Sequence, residues 1–287
     1  MKIEFVILHY NVEKETIKCV EYIKHNIDVE DYHIVIVDNN SPNGSGKRLK
    51  EYYKSDIKVK VLLMKNNAGF ARGNNAGIRW ARKNTSPQYI CVMNNDVYLL
   101  EKNLYKKIDD EYNNSKYAVL GPHVRTPKGR TNTNPVNDRC ISKRDIYLYL
   151  AEYSIRLCMC RLNVEDRSIK EMFMGFRTKK NPMNSKIKQY NVKLHGCFLV
   201  FSEMYFEKFD GFDSRTFMYW EEEILYRHLT ENKLISVYEP EIEVLHKEDM
   251  STDSEYKKSK DKKMFHLRCS ISSFRVLLKI IKHYEKC

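Results

Sequence analysis

Five places in this sequence put acids, amides or imidazoles where a ligand could meet them. In Val37-Asp38-Asn39-Asn40-Ser41 an acid closes an apolar run. Such a carboxylate can accept hydrogen bonds from a base or a ribose, or it can shape a turn, as Asp, Asn and Ser all do. Asn66-Asn67-Ala68-Gly69-Phe70-Ala71-Arg72-Gly73-Asn74-Asn75-Ala76-Gly77 is a glycine-rich loop. Its glycines allow close backbone approach, and a helix opening there would point free N–H groups at an anion. It lacks the Gly-Lys-Ser/Thr of a Walker loop and the spacing of the dinucleotide fingerprint. In Met93-Asn94-Asn95-Asp96-Val97 a carboxylate follows an Asn by two residues. That pair offers oxygen ligands to a hard divalent ion bridging two phosphates, or it is a polar strand end without metal. Phe217-Met218-Tyr219-Trp220-Glu221-Glu222-Glu223-Ile224 places three acids where they would complement a helix dipole. Tyr219 and Trp220 before them would wall a sugar or pack in the core. His246, ending Ile242-Glu243-Val244-Leu245, is either structural or a nitrogen ligand to the same ion.

The elements that must position these residues follow from the apolar runs. Residues 5–8, 34–37, 59–63 and 89–93 read as buried strands, with helices after Val12 and Gly73 between them. Strands alternating with helices predict parallel βαβ units, whose ligands bind beyond the carboxyl ends of the strands. Residues 122–193 are polar and basic, broken by Pro127, Gly129, Pro135 and Pro182, with one helix predicted over 146–162. This stretch reads as an insertion or lid. Regular structure resumes with a strand at 197–201, a helix near 203–209, a helix from Trp220, and short strands near 235–238 and 241–245.

Of the 287 residues, 42% are hydrophobic and 31% charged, which excludes a wholly disordered chain. The longest apolar run, Cys197-Phe198-Leu199-Val200-Phe201, is too short to span a bilayer. The first eight residues read as a strand rather than a signal peptide, which predicts a cytosolic protein. Eight cysteines are too dilute for a disulfide scaffold, and they read as reduced packing thiols. The net charge of +12 is concentrated late: residues 256–287 hold ten Lys or Arg and two acids. A nucleic-acid groove in the main domain is therefore not expected.

Strand-Asp, glycine loop, strand-Asn-x-Asp, aromatic-Glu-Glu and His occur here in the order that characterises family 2 glycosyltransferases. The chain resembles that family over about residues 2–250, in particular its bacterial rhamnosyl- and galactofuranosyl-transferase-like members of surface polysaccharide synthesis. The resemblance is carried by Ile7-Leu8-His9-Tyr10-Asn11, the four clusters above, His195-Gly196-Cys197, Gly211-Phe212-Asp213 and His246. It implies an α/β chain with the GT-A fold, a Rossmann-like, mixed, mainly parallel central sheet flanked by helices. The catalytic domain would span 1–250 with the insertion at 122–193, followed by a basic linker at 251–263. It also implies an inverting, metal-dependent sugar transfer from a UDP- or dTDP-sugar to a glycan or lipid-linked hydroxyl, with Mn²⁺ or Mg²⁺. Asp38 would bind the base, with the backbone of His9 and Tyr10 beside it. Asn67, Gly69 and Asn74 would line the donor. Asn94, Asn95 and Asp96 would face the diphosphate, with Asp96 and His246 holding the metal. Glu222, or its neighbour Glu221, would be the general base, and Tyr219, Trp220 and His195 would border the acceptor. Asn94 departs from the strict Asp-x-Asp form. An inactive scaffold of the same fold and a basic nucleic-acid-binding protein are the alternatives.

In the tail, Leu267, Ile271, Phe274, Leu278 and Ile281 form an apolar stripe on a helix expected over 264–287. Arg268, Arg275, Lys279, Lys282 and Lys286 lie beside it. That pairing predicts either an interfacial helix on an anionic membrane, at the inner face of the cell membrane, or a helix docked on protein. The oligomeric state stays open.

Overall fold

The computed structural model describes residues 1–127, 133–164, 166–176, 183–247 and 259–286. Four strands form its parallel half: β1 (Ile3–His9), β2 (Tyr32–Asp38), β3 (Val59–Leu63) and β4 (Tyr89–Asn94). Each is close to the predicted run. Strand side chains alternate between faces, and both faces are covered here. Ile3, Phe5 and Ile7 pack with Cys19, Val20 and Ile23 of α1 (Glu13–Asn26). Val6, Val35 and Val37 pack on the other side with Ala71, Ile78 and Ala81 of α3 (Gly69–Asn84). A short α2 (Ser45–Tyr52) lies between β2 and β3.

The sheet then turns mixed, with strand order β3-β2-β1-β4-β8-β6-β9-β5 and β7 against β9 among the described residues. β5 (Val97–Leu99) is followed by α4 (Leu104–Ser115) and β6 (Val119–Arg125). β7 is Gln189–Tyr190, and β8 (Phe198–Phe201) runs antiparallel to β4. The helices α7 (Glu203–Phe206) and α8 (Glu221–Glu231) precede β9 (Ser236–His246). The two short strands expected near 235–238 and 241–245 are thus one strand. Pro240 interrupts the hydrophobic pattern but not the strand, because β6 skips it: Pro122 pairs with Glu239 and the next pair is His123 with Glu243. A bulge is where a residue without N–H is tolerated in a sheet.

The segment expected to be a lid carries α5 (Lys143–Arg161) and α6 (Arg167–Phe176). Both join a third helical layer with α9 (Ser259–Tyr284). The expected linker at 251–263 lies outside the described residues except for its last five. Leu267, Phe274, Leu277 and Ile281 are buried, several of them against Ile146 of α5 and Ile224 of α8. Of the two readings of the apolar stripe, docking on protein is the one the structure gives: the chain's own helices cover it. Arg268, Arg275, Lys279, Lys282 and Lys286 remain on the exposed side of α9. No helix among the described residues is long and apolar enough to cross a membrane.

Candidate active site

The parallel register of β1 and β2 sets His9 opposite Asp38 at their carboxyl ends. Asp38 is 5% exposed, and its Oδ1 accepts from the Ser41 backbone N–H at 3.1 Å and the Ser41 hydroxyl at 2.5 Å. The acid is thus oriented by the turn it starts. The His9 ring is fully buried between Thr16 Oγ1 at 2.7 Å and Ser45 Oγ at 2.8 Å. Burial, and next the Arg48 charge, lower its pKa to about 4, so it is a neutral brace. At His9 it is therefore the backbone that can border a ligand, and its carbonyl accepts from the Asn39 N–H at 3.0 Å.

The glycine loop is tied to that turn by paired amides. Asn39 Nδ2 donates to Asn67 Oδ1 at 2.9 Å, and the Ala68 N–H donates to Asn39 Oδ1 at 2.9 Å. Gly69 has φ +81°, and a Cβ there would lie 2.1 Å from the Phe217 carbonyl oxygen. That oxygen accepts from the Phe70 N–H at 2.8 Å, so the loop rests on the segment leading into α8. Asn74 is fully buried beneath the loop, with Nδ2 donating to the Phe70 carbonyl at 3.1 Å. It supports the loop rather than lining its surface.

At the end of β4 the antiparallel partners close in. The Asn94 N–H donates to the Cys197 carbonyl at 2.9 Å, bringing the start of β8 alongside. Register pairing of Val97 with His246 sets Asp96 beside the end of β9. Asp96 Oδ1 is 3.3 Å from His246 Nε2, and both side chains are buried. Two ligands at about 2.1 Å from one ion, at a right angle, lie about 3 Å apart, so this pair fits a shared divalent cation. Asn95 departs from expectation. It is 3% exposed and its Nδ2 donates to Thr16 Oγ1 at 3.0 Å, directing it into the core instead of toward a diphosphate.

His195 stands near this pair, its ring 5.7 Å from that of His246, and its backbone N–H donates to Asn134 Oδ1 at 3.1 Å. Cys197 lies with both imidazoles, and the donor atoms of the three fall within 4.8 Å of one another. Burial opposes a thiolate, but the two imidazoles outweigh it and lower the Cys197 pKa to about 7. His246 is likewise pulled down by burial yet raised overall to about 11, first by the Cys197 sulfur and then by Asp96.

The three consecutive acids have three fates. Glu223 pairs with Lys193 and accepts from the Ile141 N–H at 2.7 Å. Glu221 is 7% exposed and turned inward beside Thr216 and Ile224. Glu222 is half-buried, and its Oε1 accepts from the Gly196 N–H at 3.3 Å, next to His195. A Cβ at residue 196 would stand 2.9 Å from that oxygen, so glycine is what lets the carboxylate in. Tyr219 and Trp220 hold left-handed φ values of 71° and 74° immediately before the acids. Non-glycine residues in that region cost about 1–3 kcal/mol each and persist where surroundings impose them. The imposing contacts are aromatic. The Trp220 ring is 4.5 Å from Phe274 and 5.1 Å from Tyr149, and Tyr219 is 4.6 Å from His266. Trp220 thus packs on α5 and α9 and remains half-buried.

Burial, and then the Glu222 charge, raise the Glu221 pKa from 4.5 to about 8. A group protonated in the folded state and ionised in the unfolded state gives stability that is full below pH 4.5 and lost as pH rises to 8. Each unit is worth about 1.4 kcal/mol, so the opposition at pH 8 is on the order of 4 kcal/mol at most. Glu221→Gln is expected to melt like the parent near pH 4.5 and progressively higher than it toward pH 8. Parallel melting profiles would show that the carboxyl ionises freely when folded.

Two contributors escaped the sequence reading. Asn39 lies inside the Asp38 motif, yet nothing local shows that its amide clamps a loop from the next βα unit. Cys197 was counted among packing thiols, since its imidazole partners come from its own turn and from the far end of β9.

The family model for Glycosyl transferase family 2 matches residues 4–181. The chain belongs to that family. Among curated relatives, Glycosyltransferase GlyG of Streptococcus pneumoniae is 29% identical over 112 residues, 38% of this chain and 36% of GlyG. Uncharacterized glycosyltransferase EpsJ of Bacillus subtilis is 24% identical over 119 residues, 42% of this chain and 33% of EpsJ. The matched part is thus about a third of each relative. Among solved structures, S. aureus TarS 1-349 superposes with a TM-score of 0.55 at 12% identity, covering 86% of this chain and 60% of that one. The same TarS segment in complex with UDP gives 0.50 at 12% identity over 87% of this chain and 59% of that one. The mixed sheet is therefore the GT-A fold expected of a family 2 chain.

Proposed function

We propose that the protein is an inverting, metal-dependent glycosyltransferase of bacterial surface-polysaccharide synthesis, such as a capsule or O-antigen. It would take its sugar from a UDP- or dTDP-linked donor and pass it to a hydroxyl of a glycan or lipid-linked acceptor. The observation that carries this reading is the convergence of Asp96–His246 and Glu222 around the His195-Gly196-Cys197 strand start. This supports a cation held by Asp96 and His246 close to a half-buried carboxylate, near the carboxyl end of β4. The presence of UDP in the TarS structure favours a uridine donor.

In this reading Asp38 holds the base and the backbone around Gly69 borders the sugar. Asp96 and His246 would hold Mn²⁺ or Mg²⁺, which when bound supplies positive charge against a leaving diphosphate. Glu222 accepts the proton of the acceptor hydroxyl as that oxygen attacks the anomeric carbon, and the Gly196 N–H keeps the carboxylate aimed. The exposed cations of α9 suit an anionic membrane surface, each contributing about 1 kcal/mol near it, without insertion of apolar side chains. Peripheral association on the inner face of the cell membrane would then be released by salt.

The test is calorimetric donor binding and turnover with UDP- and dTDP-sugars, with Mn²⁺ or with chelator. Asp96→Ala is expected to lose the metal-dependent part of donor affinity, roughly 10–100-fold or more. Unchanged affinity in Mn²⁺ would remove Asp96 from the metal site. Binding without turnover of any donor would favour an inactive scaffold of the same fold.

A further inference from the structure

The oxygen-rich ligand set expected for a hard ion does not account for Cys197. It sits 1% exposed between two imidazoles. We propose that His195, Cys197 and His246 form a nitrogen–sulfur site for a borderline-soft divalent cation, Zn²⁺ being the natural occupant. Sulfur and imidazole donors select such an ion over Mg²⁺ or Mn²⁺.

Three observations converge. The three donor atoms lie within 4.8 Å of one another, and ligands on one tetrahedral zinc lie roughly 3.3–3.8 Å apart, so modest side-chain rotation closes the set. His246 is 93% buried by area, and its Nδ1 has no hydrogen-bond partner among the described residues. Its other nitrogen faces Asp96 at 3.3 Å, the carboxylate–histidine arrangement that orients ligating imidazoles. His195 is half-buried and gives solvent a route in, so an open fourth position can hold water. On binding, the Cys197 thiol gives its proton to solvent. The His195 Nδ1 exchanges its 3.2 Å bond from the Cys197 N–H for the ion.

The binding stands apart from sugar transfer, but its consequence rests on the proposed reaction. With zinc on Nδ1, His246 Nε2 would carry the proton and donate to Asp96, so neither would be free for a hard ion and low zinc would antagonise that centre.

The test uses full-length protein stripped with chelator and titrated with Co²⁺, then with Zn²⁺ against a chromophoric chelator. One equivalent of Co²⁺ should produce a thiolate-to-cobalt charge-transfer band that excess Mg²⁺ does not remove. Cys197→Ser should abolish the band. His195→Ala keeps all eight cysteines yet should weaken Zn²⁺ at least tenfold. Circular dichroism and melting in chelator establish that both variants fold. No band in the parent, or parent-like band and affinity in both variants, overturns the proposal. A normal band in a protein that transfers no sugar defeats the proposed reaction and leaves this site standing. Manganese-dependent donor binding without the band does the opposite.

Discussion

Glu222→Gln should fold and bind donor as the parent does, yet transfer sugar about 10²–10⁴-fold more slowly, the usual contribution of a positioned base. The amide oxygen of glutamine can still accept from the Gly196 N–H, so the contact that aims the side chain survives. What disappears is the capacity to take up a proton. Glu221→Gln is the matched control, because Glu221 is directed into the protein beside Thr216 and Ile224. It should retain most of its activity. Initial transfer rates at saturating donor decide between them. An active Glu222→Gln beside a dead Glu221→Gln would move the base by one residue and falsify this assignment.

Phe274→Ala should destabilise the protein by about 3–5 kcal/mol, the range for deleting a buried aromatic ring. Phe274 is fully buried, stacked 5.2 Å from Tyr149 and tilted against Trp220 at 4.5 Å, so it joins α9 to α5 and to the residue before α8. At about 2–4 °C per kcal/mol for a chain of this size, the midpoint should fall by roughly 6–20 °C. Removing residues 259–287 altogether should expose Ile146, Ile224 and the Tyr149 and Trp220 rings that α9 covers and cause aggregation, not release a soluble domain. Arg275→Glu on the exposed side should leave the melting point unchanged while weakening sedimentation with anionic vesicles. A truncated chain that stays monomeric and melts normally would overturn this account of the tail.

The parallel half of the sheet was legible because β1, β2 and β4 are buried on both faces and therefore read as unbroken apolar runs. The antiparallel half was less so. β5 has three residues and β7 two, too few to show a period. Pro240 made β9 look like two strands, since the bulge that accommodates it belongs to β6 and β9 together. The order of the polar motifs led to the family, and Asp96, His246 and Glu222 do converge. Asn95 and Asn74 share those motifs but turn inward, a choice made by Thr16 and by the Phe70 carbonyl. For the tail, spacing revealed the stripe but not its cover, because α5 carries Tyr149 and Tyr153 among apolar residues on every side.

The contact between Gly69 and Phe217 fixes more than a loop. It is backbone against backbone, with no side chain to rotate away, and it joins the glycine loop to the stretch of chain that leads into Glu222. A shift of either segment therefore has to be met by a shift of the other. Neither segment can be lengthened without a matching change in the other, so a Gly69→Ala substitution should be felt at the start of α8 as well as in the loop.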